Sequence, residues 1–248
     1  MRLYRMQELK DYIQQHEKAS IDELCQAMRV SKSTLRRDLD LLAGEGWIEK
    51  VYGGVKYRDS SQLIPYENRG VLNAEAKRAI GRRAGELVEE GDVLFLDSGT
   101  TTPYMLESLS GKHVTVLTHS ISVINAAGAL PDVALFALPG LYYPKTKSFR
   151  CMDTVAFLRK YNITKAFMAA SGFSRSGVTN SATWEYDIKQ YAAHNAQKVY
   201  LCIDSAKFGV TRMMTYCEAE QLTGIVCEAA PGEEWLEYLE EKGVELIL

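Results

Sequence analysis

Cysteine is scarce. Five residues in 248, Cys25, Cys151, Cys202, Cys217 and Cys227, are odd in number, widely spaced and without a C-x-x-C pair. They offer neither a disulfide framework nor a zinc site and read as reduced thiols. Long apolar runs are missing too; none reaches the roughly 18 to 20 residues a membrane-spanning helix needs. The opening MRLYRMQELKDY lacks the uninterrupted apolar core of a signal peptide, so a cytoplasmic protein without membrane partners is expected. No internal repeat or low-complexity tract interrupts the chain, and no metal or other cofactor is expected. What is present is ordinary for a packed globular protein, with 46% hydrophobic and 25% charged residues, which excludes disorder.

The net charge of −3 hides an asymmetry. Between Arg29 and Arg58 stand seven Lys/Arg against four Asp/Glu, a basic stretch on an otherwise acidic chain. Such a stretch fits a polyanion-binding surface, where neutralised phosphates release counterions, although a solvated basic face is the commoner reading of charge alone.

The first sixty residues give that stretch a shape. Leu3, Met6, Leu9 and Ile13 recur at helical spacing and predict an amphipathic helix over about 2–17. Ser20-Ile21-Asp22-Glu23 is a capping box that opens a second helix, which Val30 closes; Ser31 offers the next N-cap. Leu35, Leu39 and Leu42 line one face of a third helix that stops near Gly44 and Gly46, while Ser33 and Arg37 point the opposite way, flanked by Thr34, Arg36 and Asp40. Two helices about three residues apart, with Lys32, Ser33, Thr34, Arg36 and Arg37 near the start of the second, are arranged to lay a recognition helix in a DNA major groove. WIEKVYGGVKY then reads as two strands around Gly53-Gly54, a wing on which Lys50, Tyr52, Lys56 and Arg58 could reach the backbone. A bundle with a protein-contacting hairpin is the alternative; the outward pair Arg36-Arg37 speaks against it, since protein-contact surfaces favour aromatic residues there.

VSKSTLRRDLDLLAGEGWIEKVYGGV resembles the signature of DeoR-type regulators: V-S-x-x-T-x-R-R-D-L-x-x-L, a glycine-aliphatic step and an H-G-G-Ala wing. Tyr52 stands where the family often has His, and Val55 where Ala is usual. The resemblance implies that Ser33, Thr34, Arg36 and Arg37 contact DNA and that Asp38 is an internal partner of an arginine.

Residues 58–73 have no clean period and contain Pro65, so domains are expected at 1–58 and 74–248 with a linker over 59–73. After a helix over about 74–90, the runs DVLFLD, VTVLT, VALFAL, KAFMAA, KVYLCID, GIVCE and VELIL alternate with helical segments, which predicts a mostly parallel α/β domain. Ligands of such sheets sit at the carboxyl ends of the strands. There Asp97, Ser98, Gly99, Thr100, Thr101 and Thr102 form a loop leading into a helix, a cradle for phosphate or carboxylate; the alternative is that they only cap that helix. Thr118, His119 and Ser120, Ser171-Gly172-Phe173, and Asp204 to Phe208 follow other strands, with Lys207 the candidate cation for an anionic ligand.

LDSGTTT, the L-T-x-S step, G-F-x-x-x-G-V-T and D-S-x-K-F-G make this half similar to the DeoR effector-binding domain, akin to ribose-phosphate isomerase and coenzyme A transferase folds. That resemblance implies a phosphorylated sugar or derivative held by Asp97 to Thr102, Thr118 to Ser120 and Lys207. Leu138-Pro139-Gly140, Cys151 and His119 depart from the family pattern, so the effector is not borrowed from relatives. The competing reading is a sugar-phosphate isomerase with a DNA-binding appendage. Isomerisation needs a positioned carboxylate base, and Ala169-Ala170-Ser171-Gly172 stands where such enzymes place acidic residues. The expectation is therefore a regulator without turnover: a homo-oligomer, dimer or tetramer, that binds double-stranded operator DNA.

Overall fold

The structure, a computed structural model, describes residues 2–44, 47–57 and 64–248. It divides into two compact units, Met1–Ile64 and Pro65–Leu248. Arg58 of the expected wing, Gly46 at the expected helix end and residues 59–63 of the expected linker lie outside the described residues, as does the side chain of Leu3.

The first unit contains α1 (Arg2–His16), β1 (Lys18–Ser20), α2 (Ile21–Met28), α3 (Lys32–Gly44), β2 (Ile48–Val51) and β3 (Gly54–Tyr57). Its helix starts follow the sequence signals. The Ser20 hydroxyl accepts from the Glu23 amide at 3.2 Å, and the Glu23 carboxylate accepts from the Ser20 amide at 2.7 Å, so two amides without intrahelical partners are satisfied reciprocally. At the start of α3 the Ser31 hydroxyl accepts from the Thr34 amide at 3.3 Å. Leu35, Leu39 and Leu42 face inward and meet Leu9, Ile13, Leu24, Ile48 and Val55 in one fully buried core. Each such side chain contributes about 1.5–3 kcal/mol when taken from water.

One strand was not foreseen. The short segment β1 pairs antiparallel with β3, giving the sheet order β1-β3-β2. Three residues carry no periodicity to read, and the pairing exists only because α1 and α2 bring Lys18–Ser20 beside the wing. The pairing is close: a β-carbon on Gly54 would come within 2.3 Å of the Ala19 carbonyl oxygen. Gly53, at φ +78°, supplies the turn.

The second unit opens with α4 (Tyr66–Val71) and α5 (Ala74–Glu86), followed by β4 (Val93–Leu96), β5 (Val114–Thr118), α6 (Ile121–Ala127) and β6 (Val133–Ala137). Next come β7 (Leu141–Tyr143), β8 (Ser148–Arg150), α7 (Thr154–Leu158), β9 (Lys165–Met168), β10 (Gly172–Ser174) and β11 (Gly177–Asn180). It closes with α8 (Tyr186–Asn195), β12 (Lys198–Cys202), β13 (Met214–Cys217), β14 (Gly224–Val226), α9 (Glu233–Glu241) and β15 (Glu245–Ile247).

All seven runs read as strands from the sequence join one parallel sheet, in the order β15-β14-β12-β9-β4-β5-β6. Alternate side chains enter opposite cores. Phe95, Leu117 and Leu201 pack with Ile188 and Ala192 of α8 and Leu239 of α9, whereas Leu94, Leu96 and Val116 pack with Ile80 and Ala84 of α5 and Val123 of α6. Burial on both faces explains why the strands read as continuous apolar runs rather than alternating ones.

Four features differ from expectation. The hairpin β7–β8 and the antiparallel sheet β10-β11-β13 are additions beside the parallel sheet. The loop after β4 leads into a seven-residue 3-10 helix, Thr102–Ser108, opened by Pro103, rather than into an α-helix. Within the stretch read as linker, α4 is helical and joined to the second unit through the Tyr66 amide on the Lys145 carbonyl (2.9 Å) and a Glu67–Lys147 ion pair (2.8 Å).

Gly54→Ala is expected to cost the first unit about 2 kcal/mol, because neither strand backbone can yield easily. Gly53→Ala, with open space around it, should cost only ~1 kcal/mol of backbone strain. Amide hydrogen exchange over residues 2–57 of the intact chain measures both; equal protection losses would refute the close-approach argument.

Candidate functional site

The cationic surface of the first unit is built on α3 and the wing. Lys32, Ser33, Arg36 and Arg37 are exposed and Thr34 is half-buried, as the leucine stripe dictates. Hydroxyls gather at the start of α3, where Ser31 Oγ lies 2.9 Å from Ser33 Oγ and 3.0 Å from Thr34 Oγ1. Lys32 pairs with Asp22 at 2.6 Å, and Lys50 pairs with Asp40, which ties the base of the wing to α3. Among the described residues no acidic side chain pairs with Arg36, Arg37 or Lys56. Tyr52 stands fully exposed beside the wing turn. Asp38 is turned inward, 2% exposed, and accepts from Arg5 Nε at 2.8 Å. The acid in the R-R-D run thus fastens α3 to α1 and leaves the outer face positive.

The candidate site of the second unit lies where β4, β5, β9 and β12 end. Asp97, directly after β4, is fully buried; its carboxylate accepts from the Ser98 amide (2.8 Å), the Ala169 amide (2.9 Å) and the Lys189 ammonium. Lys189 also donates to the Ala169 carbonyl at 3.0 Å. Beside this pair, Glu185 accepts from the hydroxyls of Ser98 and Ser148, both at 2.7 Å. Burial alone would raise the Glu185 pKa, but neighbouring His119, the Lys189 charge and the Ser148 hydroxyl outweigh it and hold the carboxyl below its ordinary range.

His119 is the exception in this network. Its ring stacks on Phe95, with centroids 5.8 Å apart, and is wholly buried, yet neither ring nitrogen has a hydrogen-bond partner. Its Nε2 lies 3.7 Å from Asp97 Oδ1 and 3.8 Å from Glu185 Oε1, too far for a hydrogen bond.

A cationic group adjoins the carboxylates. Arg69 of α4 stacks over Tyr66 at 5.6 Å; burial lowers its pKa, against the pull of Glu185, Tyr66 and Asp97. Lys77 of α5, 5% exposed, donates to the Arg69 carbonyl. Burial pushes its pKa down to about 8, with Lys207 and Arg69 repelling its charge and Asp204 opposing them. Asn73 donates to Asp204 Oδ1 at 3.3 Å, joining the start of α5 to the end of β12.

The expected residues therefore separate. Asp97, Ser98 and His119 converge with Glu185, and Lys207 belongs to the cationic group. Thr102 and Thr118 are spent on the backbone: Thr102 donates to the Asp97 carbonyl (2.7 Å) and Thr118 to the Leu96 carbonyl (2.6 Å). Ser120 accepts from the Val123 amide at 3.4 Å and starts α6. Thr100 and Thr101 are buried within the loop. Gly99 and Gly172 serve close approach, since β-carbons there would fall 2.2 Å from Ala169 Cβ and from the Val210 carbonyl oxygen. Two clefts, about 290 Å³ beside Arg175 and Tyr238 and about 150 Å³ beside Cys151 and Trp184, are lined by none of Asp97, His119 and Lys207.

Sequence reasoning missed Arg69, Lys77, Glu185 and Lys189. One signal was available for Lys189, which shares a helix face with Ile188, Ala192 and Ala193, an apolar stripe where an unpaired lysine would be costly. Glu185 precedes α8 in a one-turn 3-10 helix and carried no such mark.

Residues 5–61 match the DeoR-like helix-turn-helix domain and residues 72–229 the DeoR C terminal sensor domain. The chain is 44% identical over 243 residues to the HTH-type transcriptional regulator IolR of Bacillus subtilis (strain 168), covering 97% of each protein. It is 26% identical over 247 residues to the lactose phosphotransferase system repressor of Staphylococcus aureus (strain N315), covering 98% of this chain and 95% of that one. Among solved structures it is similar to ribose 5-phosphate isomerase A of Methanocaldococcus jannaschii, with TM-score 0.41, 17% identity and 55% of each chain covered. Among the described residues no helix is long and apolar enough to cross a membrane.

The lowered pKa of Lys77 has a definite stability signature. The folded state binds this proton less tightly than the unfolded chain, whose lysine titrates near 10.5. The burial penalty is thus fully present below pH 8 and is relieved as pH rises from about 8 towards 10.5. Relative to Lys77→Met, the native protein should gain on the order of 2 kcal/mol across that window. Denaturant midpoints of both proteins from pH 7 to 10 measure it, and a pH-independent difference would show that Lys77 is solvated.

Proposed function

This chain belongs to the DeoR family of transcriptional regulators, and from that premise we propose that it represses a carbohydrate-metabolism operon, releasing operator DNA when a phosphorylated sugar or sugar derivative occupies the second unit. The observation that carries the reading is the buried polar cluster at the strand ends, where Asp97, Glu185 and unpartnered His119 adjoin the cations Arg69, Lys77 and Lys207. Carboxylates and an imidazole suit hydroxyls; the cations, Lys77 buried and Arg69 and Lys207 half-buried, suit a phosphate. The sugar-related name of the lactose phosphotransferase system repressor supports the same class of effector.

On the DNA side, Arg36 and Arg37 would enter the major groove. Ser33 and Thr34 would meet phosphates at the start of α3, and Lys32, Lys50, Tyr52 and Lys56 would hold the flanking backbone. Lys32 and Lys50 must exchange their partners Asp22 and Asp40 for phosphate, so their net contribution is smaller than that of the arginines. A symmetric oligomer would present two or more such heads to repeated half-sites, and the ligand would act through unequal affinity for two spacings of the heads. Nothing in this scheme requires turnover; the protein is a regulator and not an enzyme.

Arg37→Ala should weaken operator binding about tenfold or more and flatten its salt dependence, while leaving sugar-phosphate binding intact. Equal loss of both activities would indicate misfolding instead. Lys207→Ala should do the reverse, raising the sugar-phosphate concentration that releases DNA by about tenfold. A thermal-shift screen of sugar phosphates identifies the ligand for this measurement, and an unchanged release curve would refute the placement of the site.

A further inference from the structure

We propose that the open edge formed by β6 and β7 pairs with the same edge of a second copy of the chain, joining two seven-stranded sheets across a two-fold axis. The inference gives the symmetric oligomer invoked above a contact surface, and it does not depend on which effector binds.

Among the described residues β6 pairs only with β5, at the end of the parallel sheet, and β7 only with β8. The Leu138 amide donates to the Thr118 carbonyl at 2.8 Å, so the backbone groups of Phe136 and Ala134, in step with Leu138, face β5. Those of Leu135 and Ala137 face outward. β7 continues this edge: β8 meets the chain just beyond β5 through the Ser120–Ser148 bridge and the Phe149 amide on the His119 carbonyl (2.8 Å), which leaves β7 outermost. Edges that stay single are blunted by charge, by bulges or by a covering element. The register of β6 on β5 runs from Val133 to Ala137 without a bulge, and no residue between Asp132 and Lys145 is charged. Such a row is a template for another strand.

The surroundings of the edge are apolar as well. Of the 24 residues from Ile121 to Pro144, a stretch that includes α6 beside β6, only Asp132 is charged, although charged residues make up 25% of the chain. Leu141 is 69% exposed, Met152 96%, and Phe136 and Tyr142 39% each. Met152 is kept beside the edge by Thr154, whose hydroxyl donates to the Pro139 carbonyl at 3.4 Å. With on the order of 200 Å² for a fully exposed side chain of this size, the four offer roughly 500 Å². Ala134, Ala137 and Pro139 are exposed too, which brings the face towards the ~800 Å² per partner of a stable interface.

Charge selects a second copy as the occupant. A two-fold contact sets a patch against itself, so a charged patch meets like charge and an uncharged one does not. The opposite edge of the sheet is unsuited to this: β15 carries Glu245 and packs with α9, whose sequence is EEWLEYLEE, so two copies joined there would oppose their acids. The edge at β6 and β7 fits itself. Its exposed aromatic residues and methionine are also the types that protein interfaces favour.

The test is sedimentation equilibrium of the full chain, free of DNA and sugar phosphate, beside Ala137→Pro, Leu141→Lys and the control Met213→Lys, which changes an exposed methionine just before β13. Ala137→Pro removes an outward amide and spares the ladder with β5, and Leu141→Lys sets like charges into the contact without touching the core. Each should raise the dissociation constant at least about a hundredfold, whereas Met213→Lys should assemble as the native chain does. Amide exchange supplies a second measurement that needs no variant. Protection over residues 133–143 of the native chain should rise with protein concentration across the association range, while that of β4 and β9 stays constant. In the two edge variants protection of β4 and β9 should match the native chain, which shows that they are folded. Native-like association of both edge variants, or exchange over 133–143 that ignores concentration, would overturn the placement and leave an oligomeric regulator standing. A native chain that stays monomeric at every concentration would overturn the inference and the symmetric oligomer together, with the effector reading untouched.

Discussion

Two carboxylates taken out of water organise the second unit. Asp97 and Glu185 are almost fully buried where the parallel strands end, and charge in that position is tolerated only with a counter-charge and hydrogen bonds. Lys189 reaches across from α8 to meet Asp97, so the helix that covers one face of the sheet is fixed to the loop after β4. Ser98 and Ser148 bring the hairpin β7–β8 to Glu185. The apolar layers position the backbone, and this polar seam sets the register of the loops above it.

The same seam explains how one site can be both rigid and responsive. Most of its donors and acceptors are paired internally, which preorganises the carboxylates without a ligand. The capacity left over sits at His119, whose buried ring nitrogens have no hydrogen-bond partner. A regulator needs such unspent capacity, because a ligand shifts an equilibrium only through interactions that one state makes better than the other.

The first unit solves a different problem with similar economy. A small core of leucines and isoleucines holds three helices, and Asp38, the only buried acid among the described residues of this unit, is assigned to Arg5. Directing that carboxylate inward keeps negative charge away from the face that carries Arg36 and Arg37. The third strand β1 stiffens the wing from behind, at the cost of admitting nothing larger than glycine at residue 54.

Periodicity and local chemistry were legible in the sequence. The capping box at Ser20, the leucine stripe of α3, the Gly53-Gly54 turn and the seven apolar runs each depend on residues within a few positions of one another, and each is present as read. The inward role of Asp38, implied by the family resemblance, is present too. Within the candidate site, Asp97, His119 and Lys207 could be nominated because loops after parallel strands must gather at one edge. Which of the loop hydroxyls stayed available could not, since Thr102 and Thr118 turn to backbone carbonyls that only the folded turn presents. Glu185, Lys189, Arg69 and Lys77 come from helices and a single turn far apart in sequence. Nothing local marks their meeting. The sequence thus determined the family, the elements and the edge of the sheet where chemistry gathers, because those follow from short-range pattern; tertiary structure decided which charges face one another there, because the energy of a buried ion depends on neighbours the chain supplies from a distance.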